Sequence, residues 1–165
     1  MDAVYWFLVV IGILIVYRLL LVLLPYIIFP TFARDFRIKK NKKVEKFAKK
    51  MMLKNREKTL NKIFDFVQGK YTSEIYKEFL FPKRHFYTEV DKLLEKSLFL
   101  PCHIQNLILR TLLIATKQFA PKDFKRKFVL GKYGAIHQYL LIKVGKKRFK
   151  ADPFFNSIEE IKGKK

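Results

Sequence analysis

The chain has one cysteine, Cys102, so it cannot form an intrachain disulfide, and a zinc site of the usual Cys/His kind cannot be assembled from one Cys and three His at these spacings. A lone thiol fits a reducing compartment. Glycine and proline are scarce, with six of each in 165 residues. That scarcity, together with many aromatics, argues for a packed core and against disorder. There is no internal repeat, no low-complexity segment and no glycine-rich phosphate loop, and neither a metal nor an organic cofactor is implied. Acidic residues are few: 14 Asp and Glu stand against 35 Lys and Arg, for a formal net charge of +21. Such a field favours polyanions. Most of the cations are lysines, which are point charges and poor bidentate readers of phosphate or base edges. The aromatics do not interleave with them as in a single-strand binding platform. Nucleic acid is therefore not expected as a partner, and anionic lipid headgroups are.

What the chain does have is a dense apolar block over residues 3 to 33. Ala3 to Tyr17 is wholly apolar or aromatic, Arg18 interrupts, and Leu19 to Phe29 resumes around Pro25. A spanning helix needs roughly 20 apolar residues, which predicts a transmembrane anchor over 1–33 and a lipid bilayer as partner. The start, Met1-Asp2-Ala3, carries no basic residue, so a retained anchor is preferred to a cleaved signal peptide. Arg37, Lys39, Lys40, Lys42 and Lys43 follow the block and are candidates for lipid contact. By the positive-inside rule they place a single-pass protein with its C-terminal domain in the cytoplasm.

Behind the anchor, residues 34–70 read as a basic juxtamembrane helix, with one long helix over Lys43 to Val67, and residues 71–165 as the main domain. Ser73 to Phe81 and Thr88 to Leu98 read as shorter helices, the second capped by Thr88, and Pro101 to Gln118 as a largely buried one. After Pro121 the pattern turns to strands: 128–130, Ile136 to Val144 and Arg148 to Asp152, with turns at 131–134 and at Gly145-Lys146. The fold class is α+β: an N-terminal transmembrane helix, then helices, then antiparallel strands.

Three residues in this layout carry chemistry. Cys102 opens a helix, where the dipole and the first-turn N–H groups favour a thiolate and can hold an oxyanion. His137 stands on a strand and Asp152 on its neighbour. If Val144 pairs with Lys147, Tyr139 lies opposite Asp152 and His137 is its diagonal neighbour on the same face. A carboxylate so placed fixes the imidazole's tautomer and leaves the other ring nitrogen to face a thiol. His103 projects about 100° around the helix from Cys102 and is a poor base for it. His85 lies in a basic loop and is given no role.

The runs Pro101-Cys102-His103-Ile104-Gln105-Asn106-Leu107, Ile136-His137-Gln138-Tyr139-Leu140 and Val144 to Phe154, with its Gly145 turn and Asp152-Pro153, resemble the transglutaminase-like superfamily, a branch of the papain-like cysteine enzymes. The resemblance covers about Leu93 to Phe155. It implies Cys102 as nucleophile, His137 as general base and then acid, and Asp152 as orienter. Gln105, Asn106 and Gln138 are candidates for the oxyanion hole. The expected activity is that of a membrane-anchored cysteine acyl-transfer enzyme. It would hydrolyse or transamidate a peptide bond or glutamine amide of a protein or peptide substrate, through a thioester. The alternative is an inactive member of the same superfamily, acting as a basic membrane-associated binding or scaffold module.

Overall fold

Asn41 and Asn55 divide the lysine-rich segment into two helices where apolar periodicity predicts one. In the computed structural model, which describes residues 3–33, 41–74, 77, 81–130 and 136–161, α3 runs Lys42–Met51 and α4 runs Arg56–Lys70. Each begins at an asparagine whose side-chain oxygen accepts first-turn amides: Asn41 from Lys43 and Val44, Asn55 from Glu57 and Lys58. The Thr59 hydroxyl fixes the link between them, donating to Leu53 O at 3.1 Å while accepting Leu53 N at 3.0 Å. The apolar stripe continues on both helices, so the periodicity survives the break.

Ahead of them, α1 spans Ala3–Ile28 and α2 spans Pro30–Ala33. Here the expectation of a transmembrane anchor is overturned. Among the described residues no helix is long and apolar enough to cross a membrane. With the anchor goes the single-pass placement of a cytoplasmic C-terminal domain that was inferred from it. The length of the uninterrupted apolar stretch agrees with this. The uninterrupted apolar stretch from Val4 ends at Tyr17, where Arg18 follows. At about 1.5 Å per residue it reaches roughly 21 Å, against a hydrocarbon core of roughly 30 Å. The α+β class itself stands, with one four-stranded antiparallel sheet.

Thr88 to Leu98 is mostly not helical. A short α5, Val90–Leu93, starts at Glu89 with no side-chain cap, so Thr88 is not the cap. The Tyr71 hydroxyl donates to Leu93 O at 3.0 Å, and burial holds that phenol well above its usual range. A 3-10 turn over Pro82–Phe86 precedes α5. Most of the helix expected over Ser73 to Phe81, like the turn expected over 131–134, lies outside the described residues.

Helix α6, Cys102–Ala115, is the centre of the molecule. Ile104, Ile108, Leu109, Leu112 and Leu113 are fully buried in one apolar cluster with Leu60, Ile63 and Phe64 of α4. Burying each such side chain contributes roughly 1.5–3 kcal/mol. The helix packs on α3, on α4 and on the sheet. The strands are β1 (Phe124–Leu130), β2 (Ile136–Val144), β3 (Lys147–Asp152) and β4 (Ser157–Glu160), in that spatial order. Leu140, Ile142 and Val144 of β2 alternate into the core beside Phe149 and Ala151 of β3. The β2–β3 hairpin turns at Gly145, whose φ of +62° suits a residue without a Cβ. Strand β4 was not anticipated: it is short and half exposed, and it follows a reversal at Asn156, φ 49°.

Candidate active site

The hairpin register decides which side chains meet. Val144 pairs with Lys147 and Leu140 with Ala151, so His137 is diagonal to Asp152 on one face. The two are joined: His137 Nε2 lies 2.6 Å from Asp152 Oδ2, and both residues are buried. A carboxylate only accepts, so Nε2 carries the hydrogen and Nδ1 is the ring nitrogen with a lone pair to offer. The second carboxylate oxygen of Asp152 accepts the backbone N–H of Phe155 at 3.3 Å. That bond ties the carboxylate to the turn after β3. The rings of Phe154 and Phe155 pack on the imidazole at 5.6 and 4.5 Å between centroids. Few water molecules can therefore compete for the His–Asp bond, and a charge-assisted pair gains strength in such surroundings.

Cys102 is the first residue of α6, and Pro101 at the cap offers no side-chain acceptor. The thiol side chain is buried in a small apolar cluster with Phe32, Phe99 and Phe154, against which Ile136 and Phe128 pack. Phe154 is thus common to the surroundings of Cys102 and of His137, and Ile136 is His137's neighbour in β2. Phe154 is the residue that links the helix start to the His137–Asp152 pair.

The three oxyanion candidates are engaged with protein acceptors. The Gln105 amide donates to Leu100 O at 2.8 Å and Ser73 Oγ at 3.0 Å, tying α6 to the segment after α4. Asn106 Nδ2 donates to Gln138 O at 2.7 Å. Gln138 Nε2 donates to Phe32 O at 2.6 Å. Asn106 and Gln138 thus clamp α6 to β2 one turn below the thiol. Of the lipid-contact candidates, Arg37, Lys39 and Lys40 lie outside the described residues. Lys42 and Lys43 are exposed in the first turn of α3, and Lys43 is ion-paired with Glu95.

Several neighbours of the site were not anticipated. His85, in the 3-10 turn, forms a three-ring cluster with Phe29, at 4.3 Å, and His103, at 5.2 Å, whose own rings are 5.6 Å apart. His103 Nε2–H donates to His85 O at 3.2 Å. Phe32, Phe99 and Phe155 were also missed. Phe155 was within reach of the sequence, since two phenylalanines follow Asp152-Pro153 directly.

Burial lowers the His103 pKa to about 3, against the smaller opposing effect of its bond to the His85 backbone. The imidazole is therefore neutral in the folded chain, and the unfolded chain binds the proton more readily. Stability rises with pH between about 3 and 6.5, is complete above the unfolded value and is lost as pH falls through that window. The loss contributed by this group approaches about 1.4 kcal/mol per pH unit. In His103→Gln, which keeps a side-chain N–H for His85 O, the urea midpoint is expected to fall less between pH 7 and pH 4 than in the wild type. Equal slopes would contradict the assignment.

No family model, no curated protein and no solved structure matches this chain.

Proposed function

We propose that the chain is a cysteine acyl-transfer enzyme of transglutaminase-like type, with Cys102 as nucleophile, His137 as base and then acid, and Asp152 as orienter. The observation that carries this reading is the buried 2.6 Å bond from His137 Nε2 to Asp152 Oδ2, with Phe154 packed both on that imidazole and in the cluster of Cys102, the one cysteine of the chain and the first residue of α6. With Nε2 committed to the carboxylate, Nδ1 accepts the thiol proton as Sγ attacks a peptide or glutamine-amide carbonyl. The tetrahedral intermediate collapses as the C–N bond breaks. His137 returns the proton to the leaving amine, and a thioester remains on Cys102. Water, deprotonated by His137, then attacks the thioester; the C–S bond breaks, the thiol regains its proton and a carboxylic acid leaves. With an amine in place of water the product is a new amide. The start of α6 supplies a positive dipole end to the developing oxyanion.

The test is turnover of an activated acyl ester by an Asp152 series. Asp152→Asn retains an acceptor oxygen and loses the charge, whereas Asp152→Ala loses both. The expected order is wild type, then Asn, then Ala, with the Ala variant folded by circular dichroism. Equal rates would sink the reading.

A second reading, a non-catalytic module for an acidic partner, is favoured by the face of the sheet that carries Tyr139 and Leu141. By register Lys125, Lys127, Lys143, Arg148 and Lys150 share that face. An Asp152 series without effect would favour this reading over the enzyme.

A further inference from the structure

Phe32 has a position that its own four-residue helix does not require. It is 3% exposed, and its ring sits in the cluster that holds Cys102, Phe99 and Phe154. The ring tilts against Phe128 at 5.5 Å and meets His103 edge-on at 5.3 Å. Its backbone carbonyl accepts two side-chain donors, Gln138 Nε2 at 2.6 Å and Arg126 Nη1 at 3.4 Å. Gln138 adjoins His137 in β2, and its register partner across the sheet is Phe128 of β1. One residue therefore places a ring beside the thiol and a carbonyl on donors from the two neighbouring strands. Phe29, three residues earlier, anchors the same segment on His85 and His103.

A carbonyl at the end of a short helix needs donors in any fold. Here both donors come from strands β1 and β2, and the ring pocket contains the candidate nucleophile. That combination is what a site for an extended or turned peptide supplies: an apolar pocket for one side chain and fixed donors for its main-chain carbonyl.

We propose that Phe99, Cys102, Phe128 and Phe154, with Gln138 and Arg126, form a subsite for an aromatic residue of a peptide, and that Phe32 fills this subsite in cis. The proposal rests on reading Cys102 as the nucleophile and adds a substrate class and a regulation to it. Peptides carrying an aromatic residue compete with Phe32, and the chain is self-blocked until the segment around Phe32 withdraws.

The test uses the full chain, in which alkylation by iodoacetamide reports Cys102 alone because no other cysteine is present. Phe32→Ala is expected to alkylate roughly tenfold faster than the wild type, since a shielding ring is gone. N-acetyl-phenylalaninamide should then slow the variant back toward the wild-type rate, while N-acetyl-alaninamide should not. A folded Phe32→Ala that alkylates at the wild-type rate overturns the proposal. So does a faster rate that both amides slow equally, or that neither slows. Phe32→Leu keeps apolar volume and gives the same comparison with a smaller rise, and it decides the matter where Phe32→Ala does not fold. Adding His137→Gln to the Phe32 variant separates the two readings. Aromatic protection that persists while alkylation ignores His137 removes the nucleophile assignment and leaves the subsite; loss of aromatic protection with His137 dependence intact does the reverse.

Discussion

Replacing His137 by Gln is expected to lower turnover of an activated acyl ester by on the order of 10²- to 10⁴-fold, the usual contribution of a positioned general base. The glutamine amide can still donate an N–H toward Asp152, which limits the damage from leaving a buried carboxylate without its partner. It has no basic nitrogen to offer Cys102. The effect should therefore appear in rate and hardly in the thermal midpoint. A variant that loses rate only in proportion to lost fold would point to a structural role for the imidazole instead. The prediction is steep because the site has little redundancy. His103, although adjacent in sequence, is fully buried and neutral and bonds to His85 O, so it cannot substitute.

The second large effect concerns the platform under the site. Leu109 is fully buried in α6, in the cluster that joins that helix to α4 and the sheet. Leu109→Ala removes buried methyl groups and leaves a cavity, for an expected loss of about 2–5 kcal/mol. The comparison is Lys49→Ala on the exposed side of α3, which should lie within about 0.5 kcal/mol of the wild type. Urea denaturation of both variants checks this. A cost below about 1 kcal/mol for Leu109→Ala would mean that α6 is not the packing centre. Because Cys102 is the first residue of the same helix, a loosened α6 should also blur its placement.

The parts of this molecule that the sequence revealed are those where local and tertiary signals agree. Alternation over Ile136 to Val144, a glycine at the turn and the Arg148 to Asp152 run pointed to one hairpin. Its register then brought His137 and Asp152 together as the simplest turn requires. Helix α6 was visible as an apolar stretch behind a proline. The break between α3 and α4 was not, because a lysine-rich periodic run conceals a single capping asparagine, Asn55. Strand β4 carries only Ser157 to Glu160, and its pairing depends on the Asn156 reversal. The N-terminal block was read by summed hydropathy across Arg18, and among the described residues no helix is long and apolar enough to cross a membrane. Gln105, Asn106 and Gln138 were chosen for proximity in sequence. Their amide hydrogens go to Leu100 O, Ser73 Oγ, Gln138 O and Phe32 O, partners that no local pattern encodes. Phe32 lies far from the site in sequence, and nothing in its four-residue helix announces that its carbonyl is held by β1 and β2.

The measurement that tests the central claim most directly is the rate of Cys102 alkylation against pH, in the full chain and in His137→Gln. An assembled nucleophile and base predicts fast alkylation well below pH 8 in the wild type. In His137→Gln the profile should shift toward that of an ordinary thiol, with a pKa near about 8.5. Superimposable profiles, both following the ordinary thiol curve, would contradict the account: His137 and Asp152 would then be a buried structural pair, and Cys102 a core residue.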